Sequence, residues 1–87
     1  MPLRWHDDAW DDSIWWQGQD RKIVRRLNLL IRDIQRGDAD GGLGKPERLK
    51  GDLAGWSSRR IDSEHRLVYR ADGHDVTILQ CRYHDEK

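Results

Sequence analysis

WSSRRIDSEHRLVYRADGHDVTILQCRY, residues 56–83, is the stretch that decides the fold. Runs containing β-branched and aromatic residues alternate here with short polar connections, so we predict three strands at residues 56–61, 65–70 and 76–83. The Asp72-Gly73 pair between the second and third runs is a strong signal for a hairpin. Strands joined by tight turns pair antiparallel, so this half of the chain predicts an antiparallel sheet.

The clearest element upstream of these strands is a helix that follows Asp20, a suitable N-cap residue. Its apolar residues recur with helical spacing and predict one buried face. These residues are Ile23, Val24, Leu27, Leu30, Ile31 and Ile34. The other faces carry the basic residues Arg21, Lys22, Arg25, Arg26, Arg32 and Arg36.

A first helix is predicted before it, with Asp7 or Asp8 as its N-cap and Gly18 at its end. Asp11 and Asp12 would then place negative charge in the first helical turn, where the backbone N–H groups are free. Four apolar residues indicate that this helix buries an aromatic stripe. They are Trp10, Ile14, Trp15 and Trp16.

The remaining segments complete a single domain. Residues 3–5 are expected to form a short opening strand whose Trp5 also packs in the core. Residues 37–44 are rich in glycine and aspartate and predict a loop, and a mostly irregular stretch continues to Gly55. The predicted order is therefore βααβββ, an α+β fold with two amino-terminal helices packed on an antiparallel sheet over residues 1–87.

The formal net charge of the 87 residues is zero, which excludes a strong overall attraction to nucleic acid. The charge is nevertheless uneven, because residues 1–20 carry a net −4, residues 21–36 a net +5 and residues 57–70 a net +2. A neutral protein can still present a basic face to phosphates, although an ordinary surface with scattered ion pairs would show the same charge pattern.

Cysteine usage and hydropathy indicate the compartment. The single cysteine, Cys81, excludes an internal disulfide framework and fits a reducing environment. No long apolar run or secretory signal stands out in the sequence. We therefore expect a cytoplasmic protein without a membrane segment.

The first two predicted strands of the 56–83 stretch contain a candidate anion site. Burial favours the register in which Ile61 and Leu67 share one face. In that register Arg60 lies directly opposite Arg66 on the other face, with no carboxylate expected between them. Opposed like charges repel, and paired guanidinium groups suit a phosphate. The alternative is that both arginines are solvated and point apart.

Glu47 and His84 are the candidate proton-transfer groups. Glu47 lies near Lys45, Arg48 and Lys50, cations that favour the ionised carboxylate a general base requires. His84 follows the last predicted strand, and histidine titrates near neutral pH, so it can protonate a leaving alkoxide. The plain alternatives are that Glu47 is a surface loop residue and that His84 is inert.

Together these groups match the needs of RNA transesterification, in which the ribose 2′-hydroxyl beside the scissile phosphate is the nucleophile. A base takes the 2′ proton, cations stabilise the transition state, and an acid protonates the departing 5′ oxygen. This chemistry needs no metal, and the four histidines and Cys81 lack ligand spacing, so we expect neither metal nor cofactor. Trp56, beside the basic strands, is the tryptophan best placed to stack on a base.

Four short motifs occur in order along the chain: GKPERLK at 44–50, SRRI at 58–61, EHRLVY at 64–69 and CRYH at 81–84. Their order and spacing resemble the YoeB/Txe toxins of the RelE superfamily, and the likeness extends over essentially the whole chain. The resemblance implies a compact RelE-like fold and the toxin of a type II toxin–antitoxin system that cleaves mRNA in the ribosomal A site. It also implies a YefM-type antitoxin partner, and it is compatible with a homodimer.

Carried over by position, the resemblance implies that Glu47 is the general base and His84 the general acid. Arg66 would stabilise the transition state, and Arg60 would bind the phosphate. The other residues expected to bind substrate are Lys45, Lys50, Trp56, Arg59 and Tyr83.

Two departures from the family pattern bear on activity. Asp85 stands where the family usually has a tyrosine; an aspartate cannot stack on the substrate and repels phosphate, although it can stabilise protonated His84. Ser57 follows Trp56, where the family tends to have a second aromatic residue. Two alternatives to a ribosome-dependent mRNA endonuclease are therefore kept: a catalytically weak antitoxin-binding module that acts in autoregulation, and a ribosome blocker that never cuts.

Overall fold

The computed structural model of the protein describes residues 1–37 and 41–83. In this part of the chain the elements are β1 (Leu3–Trp5), α1 (Asp7–Gln19), α2 (Arg21–Gln35), β2 (Glu47–Arg48), a short 3₁₀ helix (Gly51–Leu53), β3 (Ser57–Arg60), β4 (Arg66–Ala71) and β5 (Val76–Gln80). The described strands form one sheet in the order β1-β5-β4-β3-β2. The predicted α+β class, with two helices on a sheet, is confirmed.

The sheet differs from the prediction in two respects. β1 pairs parallel with β5, so the sheet is mixed, whereas its other neighbouring strands are antiparallel. β2 was not predicted, because a strand of two residues is too short to show the alternation by which strands are recognised. It lies at the edge of the sheet, beside β3.

Helix α2 agrees with its prediction. The Asp20 side chain accepts a hydrogen bond from the Lys22 N–H group at 2.9 Å, which caps the helix. Four of the six predicted apolar residues are buried and the other two are half-buried against the core. Burial of each leucine or isoleucine favours folding by about 1.5–3 kcal/mol.

No helix within the described residues is long and apolar enough to cross a membrane.

Helix α1 differs from its prediction in both phase and ends. Its buried residues are Ala9, Ser13 and Trp16, whereas Trp10 and Ile14 are about half exposed. Trp15 is also exposed, so the predicted buried stripe is wrong except for Trp16. The helix begins at Asp7, so Asp7 and Asp8 lie in the first turn and do not cap it, and it continues past Gly18.

The physical reason for this phase is a polar contact that the apolar pattern does not reveal. The Trp16 indole N–H donates to the Cys81 carbonyl at 2.7 Å, and the Asp12 carboxylate accepts from the Cys81 N–H group at 3.1 Å. These bonds turn the 12–16 side of the helix towards the end of β5. They also explain why β5 ends at Gln80 and not at the predicted residue 83, since α1 takes the backbone groups of Cys81.

The predicted register of β3 and β4 is confirmed, because Arg60 pairs with Arg66. The neighbouring Arg59 is fully buried on the opposite face. Its guanidinium forms an ion pair with Asp33 on α2, and its Nε donates to the Tyr69 hydroxyl at 3.2 Å. The prediction that Arg59 binds substrate is therefore wrong, because this side chain connects the sheet to the helices and does not reach the surface.

The ion pair predicts how stability depends on pH. The hydrogen bond from Arg59, together with one from the Leu43 N–H group, holds the pKa of Asp33 below its ordinary value of 3.8. A carboxyl with a lowered folded-state pKa stabilises the fold above its unfolded-state pKa, and that stabilisation is lost as the pH falls through the folded-state value. Asp33→Asn should therefore lower the thermal midpoint near pH 7 and reduce its decline below pH 4, measured by circular dichroism.

Asp75→Asn is the matched control, because Asp75 pairs with the largely exposed Arg4 at 2.8 Å. An exposed ion pair contributes about 0–1 kcal/mol, so this variant should melt close to the parent. Equal midpoints for Asp33→Asn and the parent at neutral pH would show that the Arg59–Asp33 pair does not stabilise the fold.

Gly44 allows the loop after α2 to pass close to β3. Its φ is +82°, and its carbonyl accepts the Arg60 N–H group at 2.7 Å. A Cβ at this position would lie 2.9 Å from Leu30 Cδ2 and 3.1 Å from the Arg60 carbonyl oxygen. Both the backbone conformation and the close approach therefore require glycine.

Gly44→Ala should lower the free energy of unfolding by more than about 1 kcal/mol, measured by urea denaturation. Gly51→Ala is the control, since Gly51 also has a positive φ, +67°, but no atom within 4 Å of the added Cβ. It should lose less stability than Gly44→Ala. Equal losses would mean that the close approach at Gly44 costs nothing.

Candidate active site

The outer face of β2, β3 and β4, on the side away from the helices, brings together the predicted polar residues. Glu47 pairs with Ser58, and Arg60 pairs with Arg66. Because side chains alternate along a strand and opposed residues share a face, these four side chains lie on one face. The residues between them, such as Arg59, point into the core.

Arg66 is held between a buried hydroxyl and an exposed carboxylate. Its Nη1 donates to Ser58 Oγ at 3.1 Å and to Glu47 Oε2 at 3.3 Å. The side chains of Arg66 and Glu47 are 17% and 63% exposed, and Ser58 is fully buried. Ser58 therefore fixes the guanidinium from the buried side, while the Glu47 carboxylate stays open to solvent.

This arrangement changes the predicted anion site. The sequence led us to expect two arginines with no carboxylate near them, but β2 places Glu47 beside Arg66. The pair joins a group that can remove a proton to a group that can stabilise negative charge, 3.3 Å apart. The position of Ser58 was also missed, although it stands two residues before Arg60, on the same face of β3.

The other predicted cations lie near the two ends of β2 and at the end of β3. Lys45, Lys50 and Arg60 are all exposed, and Lys45 has a positive φ of 52° in the turn before β2. Arg26 on α2 donates to the Arg60 carbonyl at 3.2 Å, which ties the end of β3 to the helix. A basic rim therefore lies along β2 and the end of β3.

Trp56 lies before β3, at the other end of this face. Its ring is half-buried, with the Arg70 guanidinium 4.7 Å from the ring centre and the His6 ring edge-on at 6.3 Å. With Arg48 and Tyr69 it lines a cleft of about 290 Å³. The Arg70 guanidinium thus lies over the Trp56 ring. The stacking of a base on Trp56 stays a prediction.

The carboxyl-terminal segment approaches the site through Tyr83. The Tyr83 carbonyl accepts from the Arg66 N–H group at 2.8 Å, and the exposed ring of Tyr83 contacts the guanidinium of Arg82. The predicted acid His84 and the unusual Asp85 lie outside the described residues. The residue that precedes His84 is therefore bonded directly to the backbone of Arg66.

The described residues contain no group of three histidine, cysteine, aspartate or glutamate side chains that could hold a metal ion.

Comparison with known proteins places this geometry in a class. Residues 5–85 match the family model of a YoeB-like toxin of bacterial type II toxin-antitoxin systems. The chain is a type II toxin by class, and it belongs to the YoeB-like toxin family. It is 57% identical over 77 residues to the toxin RelK of Mycobacterium tuberculosis strain H37Rv, covering 88% of this chain and 89% of that protein.

Solved structures agree with this assignment. A YoeB/ParE toxin from Agrobacterium tumefaciens superposes with a TM-score of 0.91 at 49% identity, covering 97% of this chain and 99% of that one. YoeB from Staphylococcus aureus, 42% identical with a TM-score of 0.90 and 97% coverage of both chains, has been solved as a dimer and as a heterotetrameric complex with the antitoxin YefM. The family resemblance and the RelE-like fold predicted from the sequence are confirmed.

Proposed function

We propose that this toxin is an endoribonuclease that cleaves mRNA on the ribosome by acid–base transesterification. The observation that carries the proposal is the Glu47–Arg66 pair at 3.3 Å on an open, basic-rimmed face. A carboxylate beside a guanidinium suits a reaction in which a proton leaves one oxygen while negative charge grows on a neighbouring phosphate.

In the proposed reaction Glu47 removes the proton of the ribose 2′-hydroxyl. The 2′ oxygen forms a bond to phosphorus, and the bond from phosphorus to the 5′ oxygen of the next nucleotide breaks. His84 gives its proton to that departing oxygen. The products are a 2′,3′-cyclic phosphate and a free 5′-hydroxyl, so atoms and charges balance without a metal ion.

Arg66 and Arg60 have different parts in this reaction. Arg66 is held by the buried Ser58 hydroxyl, so its guanidinium is oriented before the substrate binds, which is the condition for strong transition-state stabilisation. Arg60 is exposed at the opposed position and suits the binding of a non-bridging phosphate oxygen. Lys45 and Lys50 would contact the RNA backbone on either side.

The proposal also covers the binding partners of the toxin and its location in the cell. By likeness to the S. aureus protein, we propose a YefM-type antitoxin as the cognate partner and self-association into a homodimer. The exposed Trp10, Ile14 and Trp15 supply an apolar surface for such contacts. We also propose a cytoplasmic location, because the proposed substrate is mRNA on the ribosome.

The site variants Glu47→Gln, Arg66→Ala and His84→Gln should each lower mRNA cleavage on programmed ribosomes by about 100-fold or more, because each removes a proton-transfer or charge-stabilising group. Primer extension on purified ribosomes measures the cleavage, and circular dichroism checks that each variant folds.

Asp52→Asn and Arg4→Ala are the charge-matched controls for Glu47→Gln and Arg66→Ala. Asp52 is exposed in the 3₁₀ helix, and Arg4 lies on β1, at the far edge of the sheet. Both should cleave at the parental rate. Parental cleavage by all three site variants would refute the assignment of the site.

Asp85 favours a second candidate function, a toxin that binds its antitoxin but cleaves weakly. Asp85→Tyr restores the residue usual in the family and removes a charge that repels phosphate, so it should increase cleavage on ribosomes several-fold. Equal rates for Asp85→Tyr and the parent would show that Asp85 does not limit the reaction. Intact mRNA with the parent protein, alongside tight antitoxin binding, would select the weakly cleaving module, and stalled ribosomes with intact mRNA would select the blocker.

A further inference from the structure

His65 lies immediately before β4 and is buried, with 8% of its surface exposed. Its ring packs edge-on against Trp16, with centres 4.8 Å apart, and lies 5.4 Å from the ring of Tyr83. The family motif at 64–69 contains this histidine, but neither the proposed proton transfers nor the phosphate contacts use it. Its burial and its neighbours suggest a task other than direct chemistry.

The hydrogen bonds of the Tyr83 backbone indicate this task. The Tyr83 N–H group donates to His65 Nδ1 at 2.6 Å, while the Tyr83 carbonyl accepts from the Arg66 N–H group at 2.8 Å. Two consecutive residues of the chain thus hold both backbone polar groups of Tyr83. The φ of Tyr83 is +63°, a conformation that a bulky residue adopts only when its surroundings enforce it.

The hydrogen bond defines the state of the imidazole. Because Nδ1 accepts, its proton must be absent, so the ring is neutral with its proton on Nε2. Nε2 lies 3.6 Å from the Glu64 carboxylate, which is exposed and marks the open side of the ring. A side chain without an acceptor at the Nδ1 position would leave the Tyr83 N–H group unpaired against a buried ring.

We propose that His65 is a positioning residue for RNA cleavage: its Nδ1 fixes the backbone of Tyr83, the residue that directly precedes the proposed general acid His84. This inference rests on the proposed function, in which His84 is the general acid. It adds a residue that never touches RNA and acts only through the carboxyl-terminal segment. The base Glu47 is held by the sheet and does not depend on this clamp.

Two substitutions separate the acceptor from the ring. His65→Asn retains an oxygen acceptor near the Nδ1 position but loses the ring that packs on Trp16. His65→Phe retains a ring but has no acceptor. Cleavage should follow the acceptor, with kcat on programmed ribosomes reduced about tenfold or more in His65→Phe and largely retained in His65→Asn, since small misplacements of a catalytic group are costly.

Thermal stability should follow the opposite order, because His65→Asn loses the packing and His65→Phe keeps it. A purely structural role would make the less stable variant the less active one. KM for programmed ribosomes and affinity for the antitoxin should stay within about twofold of the parent in His65→Phe, since the clamp acts on the chemical step. A His65→Phe variant as active as the parent would overturn the proposal.

A double-mutant test identifies the residue through which His65 acts. In a His84→Ala background, His65→Phe should cause no further loss, because the group it positions is already gone. The same loss in both backgrounds would overturn the proposal, as would a Tyr83 amide that exchanges no faster with solvent in His65→Phe than in the parent. A parent protein that fails to cleave mRNA would instead overturn the proposed function, and the amide exchange would then decide the clamp alone.

Discussion

The ion pair between the buried Arg59 and the half-buried Asp33 determines which way β3 faces. A guanidinium loses several kcal/mol of hydration when it is buried, and the carboxylate on α2 and the Tyr69 hydroxyl offset that cost only from the helix side of the sheet. Arg59 must therefore point towards the helices. Alternation along the strand then sends Ser58 and Arg60 to the outer face, where Ser58 orients Arg66. A contact in the core thus sets the position of the Arg66 guanidinium on the outer face.

A second constraint brings the end of the chain to the same face. The Asp12 carboxylate and the Trp16 indole bind the backbone of Cys81, so β5 ends at Gln80, the residue before Cys81. The chain can then turn so that Tyr83 bonds to Arg66. The Trp16 ring also packs against His65, so one side chain of α1 both ends the strand and supports the residue that holds Tyr83. Helix α1 therefore helps to arrange the site, although none of its residues belongs to the site.

The parts of the structure that the sequence predicted are those with a repeated or opposed pattern. The apolar spacing of α2 and the register that opposes Arg60 to Arg66 depend on many residues at once, and both are confirmed. The phase of α1 was wrong because tryptophans lie on several of its faces, and polar bonds to Cys81 decide between them. The burial of Arg59 could have been inferred, since it stands two residues before Ile61 on the predicted inner face. Edge strand β2 could not have been inferred, because two residues are too few to show the alternation of a strand. The contact of Glu47 with Arg66 depends on β2 and was therefore missed as well.

The openness of the site explains why the proposed function includes the ribosome. Glu47 lies on a two-residue edge strand of the outer face, with 63% of its side chain in solvent. Such a face orients its own groups but provides little to bend a ribose against its phosphate or to exclude water, and those two effects supply much of the rate enhancement in transesterification. In the proposed function, the ribosome holds the RNA in place and supplies these two effects. In the proposed reaction the toxin itself then supplies the fixed guanidinium of Arg66, the base Glu47 and the acid His84 to one phosphate.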